Sequence, residues 1–350
     1  MSWRVVPARD FAMHAGRWQR LHAAGAASPL LAADFVQALL DAFGTGRELL
    51  AWHTRDDGGD GDDAQAMTIV TPGRLGTWNT FQPAQAPVGL WLQRDANAPV
   101  DRVAELLRAL PGIALMLGIT ECDPMLMARP PDGPGVRTAD YIRTARITIA
   151  GSFEDYWNDR GKNLRNNLKK QRKRLTQDGI VPRLEIVRAQ QQMAAAVADY
   201  GRLETTGWKG SEGTAVDAGN DQGRFYRVML ESFARRGAAS VYRYWLGDRL
   251  AAMDLCVEGG GCIVVLKTAY DESLGPQLSP ALLMREEACC GLFGAAPANG
   301  IERIEFYGRV MEWHTRWTDE IRTMYHLNAY RWPGLGHLHA LATRPSRPAD

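Results

Sequence analysis

Between residues 240 and 308 the spacing of apolar positions changes from two to near four and back. SVYRYWL and RLAAMDLCVE alternate around Gly247-Asp248, and CIVVLKTAY follows the triple glycine 259–261. Alternating runs joined by Gly-Asp and Gly-Gly pairs predict a three-strand antiparallel meander. From Ser279-Pro280 the apolar residues recur at helical spacing to about 293, with Ser and Pro where a helix start favours them. IERIEFYG at 301–308 then reads as a further strand. This meander, helix and strand form the firmest unit that the pattern predicts. Upstream lie a strand, RLEIVR at 183–188, a helix with Met193, Val197 and Tyr200 on one face, and a helix over 219–236 with Phe225, Met229 and Phe233 spaced by four. Downstream, MYHLNAYR at 324–331 supplies a last strand.

The first half is less regular. SPLLAADFVQALLDAFG at 28–44 predicts a helix begun at Ser28-Pro29 and stopped by Gly44. Strands are expected at 47–54 and 65–71 around the polar loop DDGGDGDD, then at 88–93 and 113–119 with a helix over about 99–110 between them. YIRTARITIA at about 140–150 closes this half. Two hairpin-joined strand sets, each followed by a helix and a strand, suggest two similarly built halves. Their boundary is expected near 150–180: an N-terminal domain 1–150, a basic helical connector 151–182, a C-terminal domain 183–340 and a disordered tail 341–350.

At 350 residues, two domains are the default expectation. A formal net charge of +1 argues against a dedicated nucleic-acid binder but leaves room for a local basic patch. The opening MSWRVVPARDF lacks the charge and apolar run of an export signal, and no apolar stretch nears the roughly 18 residues of a membrane span. The five cysteines show neither CxxC pairing nor a histidine-rich neighbourhood. They read as reduced thiols of a cytoplasmic protein, with no metal site expected.

Several strings sharpen the fold reading: ETTGWKGSEGTA at 204–215, LKTAYDE at 266–272, LSPALLM at 278–284 and EFYGRVMEWHTRWTDE at 305–320. They resemble the FemAB/CelD-like branch of the GNAT acyltransferase superfamily, strongly over about 200–330 and loosely over 20–150. The resemblance implies an α+β fold of two GNAT-like domains in tandem, each a mixed, mostly antiparallel sheet flanked by helices. The N-terminal domain would be the degenerate one. It also implies acyl-CoA as co-substrate, bound at the N-terminus of the helix after the meander, where free backbone N–H groups favour anions. That turn is Gln277-Leu278-Ser279-Pro280-Ala281-Leu282. Gln277 matches the family pattern, but Pro280 and Leu282 stand where small residues are usual, and Pro280 removes one N–H. Gln277, Ser279, Ala281, Leu282 and Leu283 are the candidate donor-binding residues, with Lys267 beside them.

Acyl transfer to an amine also needs a proton acceptor and fixed donors for the oxyanion. Asp254 shares a strand face with Ala252 and Cys256. A carboxylate on an apolar face would have a raised pKa suited to a base, unless that face is solvated. Glu204, one turn after Tyr200, could act as base or substrate anchor, with Trp208 and Lys209 on the substrate side. Lys267 sits in apolar VVLKTAY and needs an acidic partner or an anionic ligand. Tyr270 closes that strand as a substrate contact. In FYGRVMEWHTRW, Tyr307 and His314 are catalytic candidates and Arg309 and Arg316 substrate contacts. Trp313-His314 stands where the family shows Tyr-Lys.

KNLRNNLKKQRKR at 162–174 carries only a thin apolar stripe, Leu164, Leu168 and Leu175. It is either a solvated helix face or a phosphate-binding one. The expected function is therefore transfer of an acyl group from an acyl thioester to an amine on a small molecule or an envelope or polysaccharide precursor. Rivals are an aminoacyl-tRNA-dependent Fem-type transferase, favoured by Pro280 and the basic helix, and a non-catalytic polysaccharide-biosynthesis accessory protein.

Overall fold

A computed structural model describes residues 2–25, 27–54, 63–205, 216–217, 219–296 and 298–336. In chain order the strands are β1 (Ser2–Pro7), β2 (Leu49–Thr54), β3 (Ala64–Pro72), β4 (Thr77–Thr80), β5 (Trp91–Gln93), β6 (Met116–Cys122), β7 (Val136–Thr148), β8 (Pro182–Val187), β9 (Ala239–Leu246), β10 (Arg249–Gly259), β11 (Cys262–Tyr270), β12 (Arg303–Phe306) and β13 (Ile321–Tyr330). The helices are α1 (Phe11–Ala24), α2 (Ala33–Phe43), α3 (Val100–Ala109), α4 (Phe153–Asn158), α5 (Lys162–Gln177), α6 (Gln190–Thr205), α7 (Asp221–Arg235), α8 (Pro280–Ala295) and α9 (Glu312–Thr315). Contacts divide the chain into two units, one of residues 1–142 and 322–350, the other of residues 143–321. The cuts fall within β7 and at the start of β13, rather than at 150 and 183.

The first unit runs β1, α1, α2, β2, β3, β4, α3, β6, and its sheet is ordered β1-β2-β3-β4-β6-β13, with β5 added against β3. The second runs β8, α6, α7, β9, β10, β11, α8, β12, and its sheet is ordered β8-β9-β10-β11-β12-β7. In each, the last strand of the meander and the strand after the next helix pair in parallel, β4 with β6 and β11 with β12, and every other neighbour pair along the sheet order is antiparallel. The two halves are thus one fold used twice. Their sixth strands are exchanged along the chain: β7 follows β6 but its end pairs with β12, and β13 follows β12 but pairs with β6.

The meander forms as its turns dictate. Gly247 takes a φ of 61° between Leu246 and Arg249, which face each other, and Gly260 and Gly261 take φ of 57° and 70° between paired Gly259 and Cys262. Left-handed two-residue turns suit the twist of the strands, and glycine adopts them without a Cβ penalty.

Two expectations differ in detail. The helix expected from residue 28 is broken: Pro29–Leu31 is a short 3-10 turn, Ala32 is extended (ψ 146°), and only then does α2 start. Pro29, Leu30, Leu31 and Ala32 are buried in succession, which one helix face cannot achieve. The stretch 151–182 is not a connector. Leu164, Leu168 and Leu175 of α5 enter the core of the second unit, with Tyr244, Leu283, Cys289 and Trp317. The proposed tail 341–350 lies outside the described residues. β1 and α1 were not anticipated by the hydrophobic pattern; α1 buries only Phe11, Trp18, Leu21 and His22.

Candidate active site

β11 and β12 are paired only from Cys262/Arg303 to Val264/Glu305, although β11 runs on to Tyr270. Beyond that point the strands part. Opposite β10, Leu255 faces Lys267 while Cys256 faces Val265, so Leu266 is an extra residue in the ladder. Such a bulge re-aims side chains and leaves backbone groups outside the ladder. Here it opens a cleft of about 790 Å³, bounded by β11 from Val265 to Tyr270, by the start of α8, and by Phe306, Gly308, Trp313 and His314.

Because side chains alternate along β11, the cleft is served from both faces of the sheet. On the α8 face lies the fully buried Asp254, with Arg285 Nη2 2.6 Å from its Oδ2 and the Thr268 hydroxyl donating to Oδ1 at 2.5 Å. The Arg285 contact is an ion pair rather than an aligned hydrogen bond. Burial pushes the Asp254 carboxyl above the usual range, with the Arg285 charge opposing the shift. Thr268 and Arg285 line the cleft; Asp254 lies beneath them. It therefore positions two wall residues and does not meet a substrate as a base.

The ring of Phe306 joins Arg285 to His314. The guanidinium carbon lies 5.0 Å from its centroid and the His314 ring meets it edge-on at 5.5 Å. His314 also stacks on Trp313 at 3.5 Å, and its Nδ1 accepts the Met311 backbone N–H at 2.9 Å. Burial, with the nearby Arg285 charge, lowers the His314 pKa to about 4. The imidazole is neutral at pH 7, and with Nδ1 already accepting, its proton sits on Nε2. His314 thus offers a donor to the cleft, not the base that its ordinary pKa suggests.

On the other face, Lys267 Nζ stands 3.4 Å from Glu204 Oε1 and 5.7 Å from the Tyr226 ring centroid. The buried Glu204 also accepts the Val216 N–H at 2.8 Å. The acidic partner that Lys267 requires is therefore Glu204. The cleft has two built cations, each backed by a buried carboxylate from another element.

At the start of α8, the Ser279 N–H donates to Gln171 Oε1 of α5 at 2.8 Å. The Leu282 and Leu283 N–H groups go to the Ser279 carbonyl at 2.9 and 3.1 Å. Pro280 has none, so among the described residues Ala281 supplies the one first-turn donor left for an anion.

Lys267, Tyr270, Ser279, Ala281, Leu282 and His314 are thus brought to the cleft. Leu283 is wholly buried in the core and Gln277 is exposed outside the cleft wall. Phe306 and Gly308 line the cleft; Tyr307, buried just past the end of β12, is not part of its wall. Arg316 is exposed and paired with Glu312 at 2.6 Å, and Arg309 is exposed away from the wall. Trp208 and Lys209 lie outside the described residues. Sequence reasoning missed Arg285, Thr268 and Gln171. Arg285 had left a trace: it lies four residues from Ala281 and from Cys289, on the apolar side of α8.

Among the described residues no group of three or more His, Cys, Asp or Glu could hold a metal ion, and no helix is long and apolar enough to cross a membrane.

Strand–helix–helix–meander–helix–strand with a splayed parallel pair defines an acyltransferase fold. Residues 162–315 match the family model of the acetyltransferase (GNAT) domain. The second unit is a GNAT domain, as the resemblance to the FemAB/CelD-like branch of that superfamily implies. The whole α+β chain, two such units in tandem, is similar to solved structures. One is the C-terminal domain of a protein described as a lysylphosphatidylglycerol synthetase from Agrobacterium fabrum (12% identity, TM-score 0.54, 95% of each chain covered). Others are L-PGS from Bacillus licheniformis (12%, 0.51, 94% of this chain and 95% of that one) and a protein of unknown function from Bacteroides thetaiotaomicron (9%, 0.51, 94% and 99%). At these identities the likeness shows the fold. No curated protein matches the sequence.

Proposed function

We propose that the cleft between β11 and β12 transfers an acyl group from an acyl thioester, acyl-CoA, to an amine. The observation that carries this reading is His314, a neutral imidazole whose Nε2–H is held for an acceptor in the gap between the parted strands. The thioester carbonyl lies on the α8 face, its oxygen toward His314 Nε2–H. The amine enters from the Lys267 face, and its nitrogen bonds to the carbonyl carbon. The oxyanion is stabilised by a donor already in place, which contributes in the transition state without reorganisation. The C–S bond then breaks, and the proton lost by the amine ends on the leaving thiolate. Glu204, behind the wall rather than in it, is proposed to hold Lys267 at the side from which the amine enters. Tyr270 borders the mouth.

A second reading, an aminoacyl ester on tRNA as donor, is favoured by the start of α8. There Pro280 and the Gln171 cap leave little for a pyrophosphate, and α5 alongside carries Lys162, Lys169, Lys170 and Lys173 exposed. Its carbonyl chemistry is the same. The acceptor would then be an envelope precursor. The proposed location is the cytoplasm, where both donors occur.

Mass spectrometry of the amine product after incubation with an acyl-CoA panel, and separately with charged tRNA, tests the reading. An acyl mass added from CoA supports the first donor. Transfer from tRNA alone supports the second. Transfer from neither contradicts both and favours a non-catalytic accessory role.

A further inference from the structure

Arg285 is buried to 5% exposure, yet it forms part of the cleft wall. A guanidinium has five N–H donors. Of these, Nη2 meets Asp254, and one face of the group lies on Phe306; no hydrogen bond joins the rest to another described residue. None of its remaining nitrogens is among the buried unpaired atoms, so they reach the cleft surface, where they can meet an acceptor that the chain itself does not provide. In the proposed reaction the transferred carbonyl oxygen is met by His314, whose ring contacts Phe306 edge-on, so this acceptor is a different group. The cleft wall includes the apolar Val265, Leu278, Leu282, Phe306 and Trp313 as well as the polar Lys267, Thr268 and His314. A guanidinium fork favours a planar anion, because two parallel N–H bonds match a carboxylate. The buried Asp254 occupies one edge of the fork and fixes its orientation; the remaining edge faces the cleft.

We infer that the transferred acyl group carries a carboxylate of its own, held by the free edge of Arg285, so that the preferred donors are dicarboxylic monothioesters. This inference rests on the acyl-thioester reading above. A plain alkyl chain of equal length would fill the same apolar wall but leave the guanidinium donors unmet.

Affinities of the full-length protein for succinyl-CoA and butyryl-CoA, measured by calorimetry without amine, test it. A charge-assisted pair predicts a roughly tenfold to hundredfold preference for succinyl-CoA. Arg285→Met should bring that preference close to one. So should the double variant Asp254→Asn/Arg285→Met, which leaves no uncompensated buried carboxylate if the single variant fails to fold. Equal binding of both donors by the wild type overturns the inference and leaves the acyl-CoA reading standing. Binding of neither overturns both. A preference that persists in the double variant places the carboxylate elsewhere and overturns the role of Arg285.

Discussion

His314 accepts the Met311 backbone N–H through Nδ1 at 2.9 Å, and this one bond decides which way the imidazole works. A backbone amide can only donate, so the ring nitrogen facing it carries no proton, and the proton stands on Nε2. His314→Ala should lower kcat by about a hundredfold to a thousandfold, the usual cost of a lost oxyanion donor. His314→Gln, which keeps a donor, should retain part of the rate. Steady-state kinetics with saturating donor separates the two.

The burial of the same ring has a pH consequence. Burial holds His314 at about 4, against an ordinary value of 6.5. The unfolded chain binds the proton more readily between these values, so stability rises with pH across that window. The contribution is complete above about 6.5 and is lost as pH falls through 4. Urea unfolding at pH 4.5 and 7 should show the slope in wild type and a weaker one in His314→Gln. The kcat profile should have no limb near 6.5 from this residue; a limb abolished by His314→Gln would restore it as a base.

Asp254 and Arg285 form a buried pair, at 0% and 5% exposure, and removing one partner strands the other. Asp254→Ala should cost about 3–5 kcal/mol in denaturant unfolding. The change Asp254→Asn should cost less, because it can keep an acceptor for Thr268. Equal, small losses would mean that the pair is not a structural brace.

Pro280 withholds one N–H from the start of α8. Pro280→Ala should raise CoA affinity by a few-fold, on the scale of one added hydrogen bond of about 0.5–1.5 kcal/mol. Calorimetry with CoA alone reads this. No change in affinity would favour the ester donor over the thioester.

The exchanged strands set which fragments can fold. Residues 143–321 contain every strand of the second sheet, including the end of β7, whereas residues 1–142 lack β13. The first fragment should show cooperative thermal unfolding by circular dichroism. The second should gain it only when β13 is supplied as a peptide.

The legible and illegible parts of the chain differ for a physical reason. Turns and periods are local, so the meander at β9–β11, α8 and the basic α5 could be read from spacing and from Gly247, Gly260 and Gly261. Pairing partners are not local. The alternation in 140–150 and 324–331 marks strands without saying that each joins the sheet of the other half. Likewise α5 reads as a polar helix until Leu164 and Leu168 are seen against the core. Lys267 announced the need for a partner, and Glu204 met it. Arg285 was visible only as a charge on an apolar helix face, while the role of His314 depends on a backbone donor three residues away that no residue pattern encodes. Tyr307 reads as part of the core strand, and it stands just past the end of β12.

Thiol release from acyl-CoA in the presence and absence of an amine panel, compared between wild type and His314→Ala, tests most directly that the parted strands hold the reaction. The expected result is amine-dependent release by the wild type and its near-complete loss in the variant, with donor affinity little changed. Release that is equally fast in the variant, or an amine-dependent product formed without His314, would contradict the proposed site.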